Sequence, residues 1–425
     1  MIKKTYLILF YSLIFSATGN FIDTGNLPED LDNNIFDNLI YNKQFDVASI
    51  KAHEFSNNKN HLPFERLAML YLKFGMLDSC AIYTNKTMDI VYKQENYKEI
   101  TNIDQILNKF SQKFKSANKS QERGLNEEAI REYNEILSIL PDFSAAIYNI
   151  GNIYYSNRNL DRAVTFIYKA SQINPVNTNY AIMVNNISKQ YYKEAEKQRK
   201  QKRYAEALDN YNKSVKYFPE FATAWFQMAR VLYAQKEIDN SLVALNKCIE
   251  YRPDHYQAFK LKGDILYKRK RDNIAATDAY SSAISIKPDY YQAFYSRGNI
   301  FLATQSFEKA ISDYLQCVNI KPDYSKAYIA LGIGYMNISD FDNSIKNLLI
   351  SLDLDSRSYE SYFRLSQLYS KKENFEKAKF YAKNALDIKP NYSDAIYEIA
   401  LSEIGLCNKF AAKEYLNKLK TDRRY

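Results

Sequence analysis

Proline and glycine are scarce in this chain of 425 residues, with nine and ten copies. Because these residues supply most tight turns, their scarcity disfavours an all-β or loop-rich protein. The chain has only three histidines and four widely spaced cysteines without a CxxC pair, so no metal site or disulfide framework is indicated. No nucleophile–histidine–acid set can be assembled from these residues. The sequence therefore predicts neither an enzyme nor a cofactor.

Long apolar runs are also missing. The apolar run at residues 6–15 is half the length of the roughly 20 residues that span a bilayer. Lys3 and Lys4 precede it, and the small residues of SATG follow, an order typical of a secretory signal peptide. This pattern predicts a signal peptide at residues 1–19 and an exported, periplasmic or envelope-associated protein. An uncleaved N-terminal anchor is the alternative.

Strong charge is missing as well, because the formal net charge of +9 is modest for this length. It favours acidic partners mildly and falls short of a dedicated nucleic-acid-binding protein. Export would also separate the chain from nucleic acid, so none is expected as a partner. Apolar residues, by contrast, make up 46% of the chain, and it contains 38 tyrosines. There is ample material for a large core.

Most of the prolines recur at a nearly constant interval. They are Pro141, Pro175, Pro219, Pro253, Pro288, Pro322 and Pro390. The successive gaps are 34, 44, 34, 35, 34 and 68 residues, and a period of 34 is typical of paired-helix solenoids. IKPDY, at residues 286–290 and 320–324, and IKPNY, at 388–392, mark the joints. There the Pro ends one helix, and the following Asp or Asn is expected to cap the next.

Aligned on these prolines, the units resemble the tetratricopeptide repeat (TPR) family. In that family a large residue stands at position 4 of each unit, small residues at 8, 20 and 27, an apolar residue at 11 and Pro at 32. The unit that starts at Ser144 has Ile147, Gly151, Tyr154, Ala163, Ala170 and Pro175. Units that start at Ala222, Tyr291, Ser325 and Tyr359 match in the same register. Small residues at these positions let two helices approach closely.

The resemblance implies an all-α fold, a right-handed TPR solenoid of paired antiparallel helices with divergent N-terminal helical repeats. Divergent repeats are expected at residues 20–100, and a polar helix with the first recognisable repeat at 101–143. The main array follows at 144–392, with a ten-residue insertion near 178–187 that lengthens or interrupts a helix. Residues 393–425 are expected to form a degenerate capping repeat. Cys248 and Cys317 stand at the small-residue position 27, which predicts that both are buried in the core.

In TPR proteins the first helix of each unit lines a concave groove, chiefly through positions 2, 5, 9 and 12. We call these the groove positions. The resulting candidates are Tyr148, Asn152, Tyr155, Tyr192, Glu196, Arg199, Phe226, Arg230, Tyr233, Lys260, Asp264, Tyr267, Tyr295 and Asn299. Tyrosine rings combine a large contact area with a polar end, which suits extended or helical peptides. The resemblance therefore implies a non-catalytic scaffold or adaptor of the cell envelope that holds a protein or peptide partner. Simple packing of abundant tyrosines is the alternative.

A second candidate surface is the basic segment at residues 189–204, with seven basic and two acidic residues. Its candidate residues are Lys189, Lys193, Lys197, Lys200, Lys202 and Arg203. Such a run on a helix is usually a solvated face. The alternative is a site for an acidic polymer or a membrane surface. A shorter basic run, KRKR, stands at residues 268–271.

Overall fold

The computed structural model describes residues 103–138, 140–175 and 177–419, together with residues 48, 50–53, 67, 71, 82, 83 and 86. The predicted signal peptide and most of the predicted divergent region lie outside them. The described part contains helices and no strand, which confirms the predicted all-α solenoid of helical repeats. Within that part, no helix is both long and apolar enough to span a membrane. The chain divides into two compact units, Met1–Pro219 and Glu220–Tyr425.

Residues 103–217 of the first unit form three helix pairs, each made of a first and a second helix joined by a short turn. The helices are α1 (Ile103–Glu122), α2 (Asn126–Leu137), α3 (Ser144–Ser156), α4 (Leu160–Ile173), α5 (Thr178–Lys200) and α6 (Tyr204–Tyr217). α5 has 23 residues, whereas α3 has 13. The ten additional residues before Pro219 therefore lengthen a helix and do not interrupt it.

The length of α5 allows it to pack against two partners in succession. Its first half places Val184, Ile187 and Tyr191 in one buried cluster with Val164 and Ile167 of α4. Its C-terminal part contacts α6. The apolar residues at intervals of three and four explain why α5 stays helical across the insertion.

The second unit continues the same alternation of first and second helices. It contains α7 (Ala222–Ala234), α8 (Ile238–Tyr251), α9 (Tyr256–Ile265), α10 (Asn273–Ile286), α11 (Tyr291–Ala303), α12 (Phe307–Ile320), α13 (Ser325–Asn337), α14 (Phe341–Leu354), α15 (Tyr359–Lys371), α16 (Phe375–Ile388), α17 (Ser393–Gly405) and α18 (Lys409–Lys418). A π-helical turn, Leu266–Lys270, continues directly from α9.

Small residues at position 8 allow the two helices of a pair to meet. A Cβ atom built on Gly298 would lie 2.7 Å from Cε1 of Tyr314, and one on Gly332 would lie 2.6 Å from Cγ of Leu348. Cys248 and Cys317 at position 27 are fully buried, which confirms the prediction from the repeat. Burial raises the pKa of each thiol to about 12, so both stay protonated.

The predicted cap at the joints was wrong. The N-cap residue of α11 is Tyr290, one residue after Asp289, and no side chain caps this helix. Asp289 lies in the preceding turn, where its carboxylate pairs with Lys287 at 2.8 Å. The Lys287 ammonium also lies 5.5 Å from the ring centroid of Tyr256. Within the described helices, side-chain caps come from residues other than the joint Asp or Asn. They are Asn159, Asp272, Asp340, Asn374 and Asn408 on second helices, and Asn177, His255 and Ser358 on first helices.

Candidate binding groove

Groove positions of two neighbouring repeats line one open cavity of about 210 Å³ in the second unit, here called the α9–α11 cavity. From the predicted set it contains Lys260, Asp264, Tyr267, Tyr295 and Asn299. Intervals of three and four residues place the members from each helix on one face. The remaining lining residues are Lys268, Tyr280, Gln292, Ser296 and Tyr324.

The carboxylate of Asp264, which lies inside the cavity, makes two strong polar contacts. The Tyr280 hydroxyl donates to Oδ1 of Asp264 at 2.8 Å, and the Lys260 ammonium lies 2.7 Å from Oδ2. The Asp264 side chain is only 14% exposed, so the lysine compensates a largely desolvated charge. Burial and the neighbouring carboxylate raise the pKa of Tyr280, which keeps its hydroxyl protonated as a donor.

In several repeats, the side chain at groove position 9 accepts a hydrogen bond from a tyrosine of the second helix. In the α11–α12 pair, the Tyr314 hydroxyl donates to Oδ1 of Asn299 at 2.8 Å. In the first unit, Tyr133 donates to Asn118 in the same way at 2.7 Å. The second-helix tyrosine therefore orients the groove side chain of its own repeat. The amide oxygen of Asn299 is thereby engaged, and a side-chain hydrogen bond also joins Asn299 to Tyr295.

Tyrosine rings form one wall of the α9–α11 cavity. The ring of Tyr295 packs edge-on against that of Tyr324 at a centroid distance of 5.2 Å, and Tyr314 lies 5.9 Å from it. Tyr324 is the last residue of the second IKPDY phrase, so the repeated joint also contributes to the groove. Burial raises the pKa of Tyr324 to about 12 and also raises that of Tyr295.

The groove positions of α7 lie beside charged and aromatic neighbours. Phe226 packs on His255 at 4.5 Å between ring centroids, and the Arg230 guanidinium lies 6.0 Å from the Phe226 ring. The Arg269 guanidinium lies 5.8 Å from the Tyr233 ring. Stacked guanidinium groups keep both rings in place at a modest energetic gain.

Two family models match the chain at the repeats that form this groove. One tetratricopeptide repeat model matches residues 144–177, 291–324 and 359–392, and a second matches residues 198–265. The chain contains tetratricopeptide repeats at these residues. Repeats of this family are generally non-catalytic protein-interaction modules, so this TPR protein is, in broad terms, an interaction scaffold.

Several solved structures resemble this TPR protein over part of its length. YrrB, a TPR protein with an unusual peptide-binding site, is 20% identical, covers 44% of this chain and 95% of its own, and gives a TM-score of 0.40. PilW, a type IV pilus biogenesis factor, is 18% identical over 48% and 94%, with a TM-score of 0.43. The C-terminal part of a TPR protein from Cytophaga hutchinsonii is 18% identical over 54% and 99%, with a TM-score of 0.45. No curated protein matches the sequence.

Groove positions in the first unit of the TPR protein are engaged with its own lengthened helix. The ring of Tyr148 stacks on Tyr180 of α5 at 4.4 Å. The Tyr155 hydroxyl accepts from Nε2 of Gln190 at 2.5 Å. Oδ1 of Asn152 is buried and has no hydrogen-bond partner within the described part of the chain. These contacts supply an intramolecular role for two of the three candidates on α3.

The candidates on α5 also make internal contacts. Tyr192 packs on Tyr211 at 6.0 Å between centroids, and the Tyr211 hydroxyl donates to Glu196. The Arg199 guanidinium pairs with the same Glu196, 2.8 Å from Nη2 to Oε2. Arg199 is therefore neutralised where it lies, and it adds little free positive charge to the surface.

The basic segment divides into two groups. Lys189, Lys193, Lys197 and Lys200 are exposed and recur at intervals of four, four and three, which places them along one face of α5. We call this set the lysine stripe. Lys197 has a long contact of 3.8 Å with Glu194, and the other three make no ion pair with any described residue. Lys202 lies in the following turn, and Arg203 pairs with Glu206.

The candidates from the sequence lack Lys268, Gln292, Ser296 and Tyr324 of the α9–α11 cavity, although Gln292 stands at groove position 2 of the repeat that begins at Tyr291. Two signals point to Lys268: the basic run KRKR at residues 268–271 and the 35-residue gap between Pro253 and Pro288. Among the described residues, no cluster of three or more His, Cys, Asp or Glu side chains could hold a metal ion.

His255 should make the stability of the second unit depend on pH. Its Nδ1 accepts the backbone N–H of Ala258 at 3.3 Å and caps α9, and the residue is only 7% exposed. Burial, and then the positive charge of Arg252, lower its pKa below the ordinary 6.5. The unfolded chain therefore binds the proton more readily. The free energy of unfolding should decrease as the pH falls from 6.5, the pKa of histidine in the unfolded chain, toward the lower pKa of His255 in the folded protein.

Urea unfolding at pH 8 and pH 5.5 checks this expectation. His255→Asn keeps a capping acceptor but cannot titrate, so its stability should change less than that of the wild type over this range. Equal losses in the two proteins would show that other groups cause the pH dependence.

Proposed function

We propose that this TPR protein is a non-catalytic scaffold or adaptor of the cell envelope, whose second unit holds a segment of a partner protein. The observation that carries the proposal is the α9–α11 cavity, into which five predicted groove positions converge. The envelope location is supported by the signal-like pattern at residues 1–19.

The size and chemistry of the cavity favour a peptide side chain. Its volume of about 210 Å³ is below the roughly 300–1,000 Å³ of typical small-molecule pockets. Tyr267 and Tyr295 supply rigid rings, while Gln292 and Asn299 supply amide groups that suit a peptide backbone. Phe226 and Tyr233 on α7 extend the same set of groove positions toward a longer segment.

Tyr267→Ala is expected to reduce partner binding by about tenfold or more, because truncation of a central aromatic residue commonly costs about 2 kcal/mol. Tyr251→Ala is the matched control, since Tyr251 belongs to the same unit but does not line the cavity. Phe226 is a poorer target because it packs on the buried His255. The measurement is quantitative capture of a partner identified by cross-linking, with helicity checked by circular dichroism. Full binding by a folded Tyr267→Ala protein would refute the assignment.

The lysine stripe supports a second candidate function, the binding of an acidic polymer or a membrane surface. Its four cations extend along about 16 Å of α5, given the helical rise of 1.5 Å per residue. Binding to polyglutamate or to phosphatidylglycerol vesicles should fall steeply between 50 and 500 mM salt. Replacing Lys189, Lys193 and Lys200 by Gln should remove most of that binding. Salt-insensitive binding would rule this candidate out.

A further inference from the structure

The repeat that begins at Tyr256 contains one more residue than its neighbours, and the structure shows where that residue is accommodated. In the repeats that begin at Tyr291 and Ser325, the residue with positive φ between the two helices comes 14 positions later, at Gln305 and Ser339. In this repeat it is Arg271, 15 positions after Tyr256, with φ of 56°. The extra residue lies in the π-helical turn Leu266–Lys270. Single π-turns of this kind often occur at functional sites.

The π-turn brings Lys268 to the cavity wall. An inserted residue rotates everything that follows it by about 100° relative to a regular helix. Lys268 is exposed and lines the α9–α11 cavity, and no described residue forms an ion pair with it. Its two basic neighbours are engaged elsewhere. Arg269 stacks on Tyr233, and Lys270 pairs with Asp239 at 2.5 Å.

Among the charged groups that line the cavity, one cation has no ion-pair partner in the described part of the chain. Both carboxylate oxygens of Asp264 are engaged, by Tyr280 and Lys260, and the amide oxygen of Asn299 accepts from Tyr314. The ammonium group of Lys268 makes no ion pair with any described residue, while the Gln292 amide and the tyrosine hydroxyls can donate or accept. Lys260 balances the charge of Asp264, so Lys268 gives the cavity one uncompensated positive charge. A cavity that has one excess cation, and whose carboxylate is already engaged, fits an anionic acceptor.

We propose that the α9–α11 cavity binds an Asp or Glu side chain of the partner segment, and that Lys268 determines this specificity. The π-turn is the device that positions Lys268. The tyrosine wall packs on the methylene groups and backbone beside the carboxylate. This inference rests on the proposed function, because it specifies the chemistry of the segment that the same groove holds.

The test is selection of peptides from a displayed library of random 12-residue sequences on three proteins: wild type, Lys268→Glu and Lys262→Glu. Lys262 is the matched control because it lies on the same helix, contacts Asn246 and does not line the cavity. Wild type and Lys262→Glu should select peptides with Asp or Glu at one fixed position. Lys268→Glu should select Lys or Arg at that position. Lys268 is exposed, so its replacement should leave the melting temperature nearly unchanged.

Affinities then quantify the contact. Changing the selected Glu to Gln in a peptide should weaken binding to the wild type at least tenfold, but to Lys268→Gln at most about twofold. Peptides without an acidic position, or the same motif on Lys268→Glu, would overturn the inference and leave the proposed scaffold intact. Failure to select any peptide on the wild type would contradict both.

Discussion

Asp313→Ala is expected to destabilise the second unit by about 3–5 kcal/mol, the typical cost of removing one partner from a buried ion pair. The Arg297 guanidinium donates from Nε and Nη2 to the two oxygens of Asp313, at 2.9 and 2.7 Å. Its Nη1 donates to the Ser281 hydroxyl at 2.9 Å. The Asp313 side chain is only 6% exposed. Without the carboxylate, a guanidinium group that joins α10, α11 and α12 and is only 20% exposed is left without a counter-charge.

The double variant Arg297→Met with Asp313→Leu is the matched control. It removes both charges and fills similar volume with apolar atoms, which is often neutral or stabilising. The free energy of unfolding of each protein is measured by urea denaturation, followed by hydrogen exchange of amides in α11 and α12. A loss below about 1 kcal/mol for Asp313→Ala would contradict the argument.

Tyr314→Ala is expected to cost about 3–5 kcal/mol, because it removes a fully buried aromatic side chain. Gly298 of α11 lies directly against this ring, so α11 and α12 are in close contact at Tyr314. Tyr314→Phe keeps the ring and removes only the hydroxyl group, so it should cost about 1 kcal/mol. The loss of that donor also frees the amide oxygen of Asn299 inside the α9–α11 cavity.

Thermal and urea unfolding of the two variants separate packing from hydrogen bonding. The Phe variant should retain most of the stability yet select peptides differently, because the amide oxygen of Asn299 is then free to accept a hydrogen bond. Equal destabilisation by Ala and Phe would show that the ring contributes little. Unchanged peptide preference in Tyr314→Phe would show that the hydroxyl does not orient Asn299 for binding.

Much of the fold follows from local pattern. Position 8 faces position 24 of the same unit, so the small residues of Gly298 and Gly332 predict where two helices meet without any long-range information. The gap of 44 residues predicted the insertion but left its form open. The apolar residues Tyr180, Val184, Ile187 and Tyr191, at intervals of four, three and four, decide in favour of a longer helix.

Less of the site could be predicted, for two physical reasons. Groove positions on α3 meet Tyr180 and Gln190, and those contacts depend on how the lengthened α5 packs rather than on the repeat period. The sequence did not predict Lys268 as a groove residue, because the groove positions were assigned with the regular α-helical period of about 3.6 residues per turn. One extra residue in a π-turn changes the direction of each later side chain. The aspartates after the joint prolines, such as Asp289, were predicted to be N-caps. The turn there is one residue longer, so the N-cap is the following tyrosine, Tyr290 in α11.

The central claim is that a protein segment lies in the groove of the second unit, and site-specific photo-cross-linking tests it most directly. A photo-reactive amino acid is placed at position 267 in the groove or at position 251 outside the cavity, in the full chain in living cells. The account predicts a discrete protein adduct at position 267, mapped by mass spectrometry to one segment of the partner, and none at position 251. No adduct at position 267, or the same adduct at both positions, would contradict it.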